Sequence, residues 1–358
     1  MRLINLFIIF FMLISPLFSQ EGRTITTAFP FLLLNTDAIA SGKGNIGVVS
    51  VSDAFSQRWN SSKYVFSEQK TALGVSYTPY LNHLVNDIFL GNLSYYRKTE
   101  RSAWAGSFTY FSIGDVKLVE DLQGGAYILG AFRPTEFTFD VSYNLKLSER
   151  FSLGVLARYL RSDFRLPTEE KSIAVGFSSD ISGYYVSKEH LLGEYFGKII
   201  FGFQISNLGT KIKYNSLGKE FFLPTNLKFG LGYFVTINNF NEISFMTEIN
   251  KLLVSTANDN LDTMSGIFKS FTDAPNGLSE ELQEVVWSVG LEYTYDKVLF
   301  LRTGYLNQHK NKGDKKNITL GMGFVFKKWQ FDFSYLFSVT KTVNPLNKSL
   351  GISLQYKF

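Results

Sequence analysis

Residues able to do chemistry are few. The only histidines are His83, His190 and His309, all in predicted connections and far apart in the chain. A metal centre or a histidine-based hydrolase needs imidazole beside its partners on a shared face. No predicted strand interior holds a histidine, so solvated loop positions are the better reading. With no cysteine, thiolate nucleophiles, thiolate metal sites and disulfides are excluded. Gly42-Lys43-Gly44-Asn45-Ile46-Gly47 matches the G-x-G-x-x-G fingerprint. That fingerprint binds dinucleotides only between a strand and a helix of a βαβ unit, and no such unit is visible. A tight turn that needs glycine explains the match better. Lys310, Lys312, Lys315 and Lys316 crowd one connection. They would suit lipopolysaccharide phosphates or an acidic partner, although a solvated loop tip is the favoured reading. No enzyme activity, catalytic residue, cofactor or metal site is expected.

The elements that must carry these residues are strands. From Thr71 onward, alternation with a period of two dominates. In the clearest stretch Trp329, Phe331, Phe333, Tyr335 and Phe337 point one way, while Gln330, Asp332, Ser334 and Ser338 point the other. Successive side chains of a strand face opposite sides, so this is a wall with one apolar and one polar side. The pattern predicts strands at 70–79, 88–98, 102–112, 135–146, 151–163, 171–187, 197–213, 225–237, 241–251, 286–295, 298–306, 316–326, 329–339 and 348–358. Gln204, Asp140, Glu248 and Glu292 fall on the inner, polar side. Joints at 99–101, 147–150, 238–240, 296–297 and 327–328 are tight, with 188–196 as the exception. Those at 80–87, 113–134, 252–285, 307–315 and 340–347 are longer. Alternating short turns and long loops mark an outer-membrane barrel. The expected fold is therefore all-β: a transmembrane antiparallel β-barrel of about 14 strands.

Composition agrees. Of 358 residues, 45% are hydrophobic and 19% charged, yet 35 Phe and 19 Tyr raise the aromatic share to 16%. A barrel showing aromatics to lipid and small polar groups to its lumen gives such figures. No segment is continuously apolar for the ~18 residues that a membrane helix needs. The formal charge of +5 is spread along the chain without a basic, aromatic-interleaved block, so no nucleic-acid partner is expected.

Three regions lie outside the wall. Residues 1–20, with Arg2 before an apolar core at 3–14 and Ser15, Pro16 and Ser19 after it, read as a secretory signal cleaved near Ser19–Gln20. Residues 21–69 lack sustained alternation and are expected to form an N-terminal plug in the barrel or a periplasmic cap. Residues 254–285, within a barrel spanning 70–358, read as a short helical extracellular insert. Leu261, Met264, Ile267, Phe268 and Phe271 fall on one helical face, Asn260 is placed to cap it, and a second short helix begins near Ser279. An amphipathic helix outside a membrane must cover something: either the barrel mouth, or a partner reached through Ile267, Phe268, Phe271 and Leu278. The last strand puts Leu350, Ile352, Leu354, Tyr356 and Phe358 on one face. This resembles the C-terminal targeting strand of bacterial outer-membrane proteins.

Several stretches together carry a family resemblance. They are Thr27-Ala28-Phe29-Pro30-Phe31-Leu32, the glycine run at 42–48, and Asp53-Ala54-Phe55-Ser56-Gln57-Arg58-Trp59-Asn60. Further on come Phe132-Arg133-Pro134-Thr135-Glu136-Phe137, Ile205-Ser206-Asn207-Leu208-Gly209, Leu223-Pro224-Thr225-Asn226-Leu227 and Ser270-Phe271-Thr272-Asp273-Ala274-Pro275. The ordered set resembles the PorV (LptO) family of outer-membrane proteins of the type IX secretion system. Asn60-Ser61-Ser62-Lys63 departs from it, since Ala or Pro is expected after the Asn. The resemblance implies a barrel related to the FadL fatty-acid transporters and a role without catalysis. It implies docking beside a SprA/Sov-type translocon and receipt of cargo carrying a C-terminal secretion domain. Delivery to an attachment complex of PorU and PorZ would follow, in the bacterial outer membrane among its lipid and lipopolysaccharide. The alternative is a FadL-like transporter of hydrophobic small molecules.

Overall fold

The computed structural model describes residues 25–81, 87–122, 125–164, 173–214, 218–255, 261–340 and 347–358. The expected signal segment, His83 and Asn260 lie outside the described residues.

Fourteen strands form the wall: β1 (Thr71–Pro79), β2 (Phe89–Lys98), β3 (Ser102–Ser112), β4 (Thr135–Lys146), β5 (Phe151–Asp163), β6 (Ile173–Val186), β7 (Tyr195–Gly209), β8 (Asn226–Thr236), β9 (Asn241–Leu252), β10 (Val286–Tyr295), β11 (Leu299–Asn307), β12 (Lys316–Phe326), β13 (Trp329–Ser338) and β14 (Leu350–Lys357). Each pairs antiparallel with the next, and β1 pairs with β14, with Leu73 opposite Tyr356, which closes the barrel. Closure leaves no wall edge unpaired, the condition for crossing a bilayer with strands. Among the described residues no helix is long and apolar enough to cross a membrane.

Exposure follows the pleat. On β1, Leu73, Val75 and Tyr77 face outward, while Ala72, Ser76 and Thr78 are buried inside. The outward aromatics gather at two levels. Tyr77, Phe89, Tyr110, Phe137, Tyr159 and Phe177 run around the end with the long loops. Trp104 with Tyr143, and Trp329 with Tyr356 and Phe358, mark the opposite end. Such paired girdles sit where headgroups begin, and long loops mark the outer side.

The structure corrects two strand assignments. The 113–134 connection contains its own hairpin, Val116–Leu122 with Gly125–Phe132. The strand predicted through 213 ends at Gly209, because a bulge between Ile205 and Leu208 shifts its register against β6. Asn207 turns the chain there at φ 61, a left-handed conformation that asparagine tolerates. Ile212–Lys213 then pairs with Glu220–Phe221 as a separate small hairpin.

Residues 25–70 run down the inside of the wall, bonded to strands around the whole circumference. The Ala38 N–H donates to Ser353 Oγ (2.8 Å), Gly44 N–H to Thr319 Oγ1 (2.9 Å) and Ala54 N–H to Gln355 Oε1 (2.8 Å). Glu248 Oε2 accepts from both Gly47 and Val48 N–H at 3.0 Å. Asn60 Nδ2 reaches the Gly183 carbonyl (3.0 Å), and Ser152 Oγ donates to the Ser62 carbonyl. The segment turns through α1 (Ala38–Ser41), capped by Asp37, and α2 (Ser56–Trp59). The glycine run serves close approach, not nucleotide binding. Gly44 sits at φ +69, where a Cβ would stand 2.9 Å from the Tyr305 nitrogen, and a Cβ on Gly47 would enter the Trp59 ring. At the outer end Phe29, Phe31 and Leu32 pack with Tyr80, Leu90, Leu160 and Leu223.

Candidate functional site

Two features lie at the outer end: the helical insert and a cavity beneath it. The insert folds into α3 (Thr263–Lys269) and α4 (Leu278–Gln283). Asp262 caps α3, its carboxylate accepting from the Ser265 N–H at 3.1 Å. Only Gly266 and Ile267 of α3 are buried. Gly266 lies so close to the Phe222 ring that an added Cβ would stand 2.9 Å from it.

The second helix docks by charge. Lys251 at the end of β9 donates to Glu281 (2.8 Å) and Glu284 (2.5 Å). Lys312 donates to Glu280 (2.7 Å) and Glu284 (3.0 Å). Burial opposes the Lys312 charge, but its bonds to the glutamates outweigh that and raise its pKa; the bond from Lys312 is the leading cause holding Glu280 below the usual range. Of the four crowded lysines, Lys312 is thus not part of a solvated tip: it is buried beneath α4.

With glutamates drawn inward, the apolar residues are left outside. Met264 is 57% exposed, Phe268 69%, Phe271 45%, Leu278 75% and Leu282 65%. Of the four residues expected to meet a partner, Ile267 is turned into the structure, while Phe268, Phe271 and Leu278 remain on the surface. A lid would bury these side chains against the barrel; here they stand in solvent. His190 and His309 are far apart in this arrangement. His190 Nε2 lies 3.0 Å from Tyr233 Oη at the short-turn end, and His309 Nδ1 caps the turn at 310–312. Among the described residues no group of acidic or histidine side chains is placed to hold a metal.

The cavity, of about 440 Å3, lies between the N-terminal segment, the inner face of the wall, Glu284 and the loop at 308–315. Leu32, Leu33, Leu34, Leu252, Val286 and Leu306 supply apolar surface. Its floor is charged. Arg158 holds Asp140 (2.9 Å) and Asp180 (3.1 Å) and also binds Asn207. Lys228 stands 3.9 Å from Glu248 and 4.6 Å over the Trp59 ring. Arg58 joins this floor from α2, with Nη2 bonded to the Leu32 carbonyl. Partial burial first, and then the neighbouring Arg158, pull its guanidinium down to about 10. The inward positions of Gln204, Asp140, Glu248 and Glu292 match the alternation. Sequence reading did not single out Arg58, Asn207 or Asn226, although all three stand inside the stretches that carry the family resemblance.

A closed fourteen-stranded barrel, filled by its own N-terminal segment and crowned by long loops, defines an outer-membrane β-barrel protein. Solved structures with this architecture include the toluene transporters TodX of Pseudomonas putida and TbuX of Ralstonia pickettii. TodX matches at a TM-score of 0.54 and 11% identity, over 93% of this chain and 98% of that one. TbuX matches at 0.51 and 11%, over 90% and 98%. A FadL homologue of Pseudomonas aeruginosa is similar at 12% identity over 91% and 99%, with a TM-score of 0.47. At such identities the likeness to TodX and TbuX carries the fold alone. No curated protein matches the sequence. The family model described as "Type IX secretion system protein PorV" matches residues 18–259, more than half of the chain. The chain belongs to the PorV family, and is an outer-membrane component of type IX secretion.

Proposed function

We propose that the protein receives secreted cargo at the outer face of the type IX translocon and passes it to the surface attachment complex. In this reading it binds the cargo's C-terminal secretion domain and catalyses nothing. The observation that carries the proposal is the inverted insert, in which Phe268, Phe271 and Leu278 stand in solvent while α4 is fixed from below by two lysines. Aromatic side chains on a rigid base are the usual anchors of a protein–protein contact. The implied partners are a SprA/Sov-type translocon, cargo with the C-terminal domain, and PorU and PorZ. Replacing Phe268 and Phe271 by Ser is expected to remove the translocon and secreted proteins from a mild-detergent purification of the tagged barrel. Insertion of the barrel should be unchanged. Undiminished recovery of both partners from the double variant would refute the assignment of this surface.

The second reading, a transporter of hydrophobic small molecules, draws on the likeness to TodX and TbuX and on the apolar upper wall of the cavity. The charged cavity floor weighs against it, since an apolar molecule would have to desolvate Arg58, Asp180 and Glu248 to pass. Purification of the barrel alone with stoichiometric apolar ligand would favour this reading.

A further inference from the structure

The rim at the short-turn end carries its cations on one side. Backbone bonds set neighbouring strands level there. Lys357 N–H donates to the Lys328 carbonyl (2.8 Å), Phe358 N–H to Thr71 (3.1 Å), Lys98 N–H to Lys70 (2.8 Å) and Lys146 N–H to Arg101 (2.8 Å). From the β12–β13 turn across the seam to the β4–β5 turn, basic side chains thus stand on adjacent strands. Their one engaged acid is Glu149, which takes Lys146 at 2.7 Å. Around the rest of the rim the balance is different. The turn at 237–240 holds no charged residue, Glu189 and Glu194 outnumber Lys188, and Lys297 is bonded to Glu68.

Three of the cations on the basic side face lipid. Lys327 Nζ stands 5.5 Å over the Phe326 ring and Lys328 Nζ 6.0 Å over the Tyr356 ring, both on the outer side of the wall. Arg97 follows Leu93 and Tyr95 on the outward face of β2, opposite the exposed Trp104. Between the two turns β1 presents only Thr71 at this level. Among the described residues Lys327, Lys328 and Arg97 have no ion pair with any carboxylate. The backbone adds a second sign. Lys327 sits at φ 57, in the left-handed region of a two-residue turn, where glycine or asparagine is favoured. The turn at 296–297 places Lys297 likewise, at φ 52, and there the amine holds Glu68 at 2.6 Å. Lys327 takes up the same conformation with no anion of the protein to hold.

We propose that this stretch of rim binds the headgroup of an anionic phospholipid of the inner leaflet, with Lys327 and Lys328 on one side of the phosphate, Arg97 on the other and the acyl chains along Leu73 and Val75 of β1. Interfacial aromatics mark the depth at which headgroups lie, and all three cations stand at that depth. Three strand spacings, roughly 15 Å, separate the two turns. Long lysine and arginine side chains reaching in from either side narrow that gap to the width of a headgroup. Guanidinium binds phosphate strongly and directionally, and an ammonium over a ring keeps its far side open to an anion. A lipid held in this way bridges β13 and β2 across the β1–β14 seam. Phosphatidylethanolamine offers the same phosphate but carries an ammonium of its own, so the site favours a lipid of net negative charge. The inference concerns the end of the barrel opposite the insert and stands apart from the cargo-receiving reading.

The test is native mass spectrometry of the full-length protein in detergent, titrated in turn with dioleoyl phosphatidylglycerol and dioleoyl phosphatidylethanolamine. The glycerol lipid is expected to bind at least ~10-fold more tightly, a difference of about 1.4 kcal/mol. Arg97→Gln, Lys327→Gln and Lys328→Gln together should reduce it to the affinity of the ethanolamine lipid. Lys188→Gln, Lys269→Gln and Lys310→Gln together remove the same charge elsewhere and should leave the preference intact. Equal binding of the two lipids, or binding of neither, overturns the proposal. An equal loss of preference in both triple variants overturns it too, since net charge alone would then explain the binding. Glycerophosphoglycerol, the same headgroup without acyl chains, is expected not to compete at equal concentration. Competition at that concentration assigns the site to a soluble phosphate and overturns the lipid. If the first triple variant lacks the heat-modified gel mobility of a folded barrel, Lys328→Gln alone and the comparison of the two lipids on the unaltered protein decide.

Discussion

Two arginines in the lumen perform one task in different surroundings. Arg302 on β11 holds Glu292 of β10 (2.5 Å) and Asp332 of β13 (2.6 Å). Lys43 of the N-terminal segment adds a second cation 3.7 Å from Glu292, and Gln330 donates to Asp332 at 2.9 Å. Arg158 on β5 likewise holds Asp140 of β4 and Asp180 of β6. Each cluster ties strands of the wall by charge inside a low-dielectric space, where an unpaired ion is costly. They differ in what lies above them. The inner segment seals the Arg302 cluster, whereas Arg158 and Asp180 border the cavity. Both clusters are buried, and they differ in their neighbour: the first packs against the inner segment, the second lies beside a cavity.

That contrast breaks most directly by deletion. Arg302→Met strands two buried carboxylates and is expected to cost ~3–5 kcal/mol, read as a drop in the urea midpoint of the barrel in micelles. Arg158→Met strands Asp140 and Asp180, whose side chains are no more than 3% exposed, and should cost a similar ~3–5 kcal/mol. A loss well below that of Arg302→Met would mean that water from the cavity relieves the stranded carboxylates, and the cavity-side cluster would be the wetter of the two. A pH series sharpens the sealed side. Burial, and then the charge of Asp53, raise the Asp37 carboxyl from 3.8 to about 6. A carboxyl raised in the folded state binds more protons there. Its stabilising part is complete below about pH 3.8 and is lost as pH climbs through about 6. The change is at most ~3 kcal/mol, and in Asp37→Asn the fall in unfolding midpoint across that window should flatten. The smallest effect is expected on the open side. Glu248→Gln weakens the bonds to the Gly47 and Val48 N–H groups by replacing a charged acceptor with a neutral one and should cost ~1 kcal/mol. Faster hydrogen exchange at those two amides, with the wall unaffected, would mark local release of the segment.

The barrel wall was legible because a period-two pattern repeated along a chain needs no long-range information. Trp329–Ser338 shows its greasy and wet sides residue by residue, and the structure pairs it in register on both edges. The hairpin at Val116–Leu122 and Gly125–Phe132 was not legible: it stands apart from the wall and alternates weakly. Asp140 and Glu292 could be read as inward-facing, but their partners could not, since Arg302 reaches Asp332 across an intervening strand. The insert shows the limit most clearly. Helices at 263–269 and 278–283 follow from the spacing, but amphipathicity by itself sends the apolar face inward. Lys251 and Lys312, distant in sequence, draw the glutamates in instead. The sequence left open whether residues 21–69 plug or cap the barrel, because glycine-rich irregular backbone gains its partners only from the wall around it. The cavity needed Arg58 and Asn226 brought together from positions far apart in the chain.

The seam between β1 and β14 has a consequence for assembly. The first strand closes against the last, and the segment preceding β1 bonds to β14 as well, through Ser353 and Gln355. Both sets of contacts join opposite ends of the chain and are among the last to become possible during synthesis. The interior backbone lies so close to the wall at Gly44 and Gly304 that no side chain fits between them. A segment packed so tightly is not threaded into a finished barrel. The pairing of β14 with β1 is the seam that holds the wall shut around it.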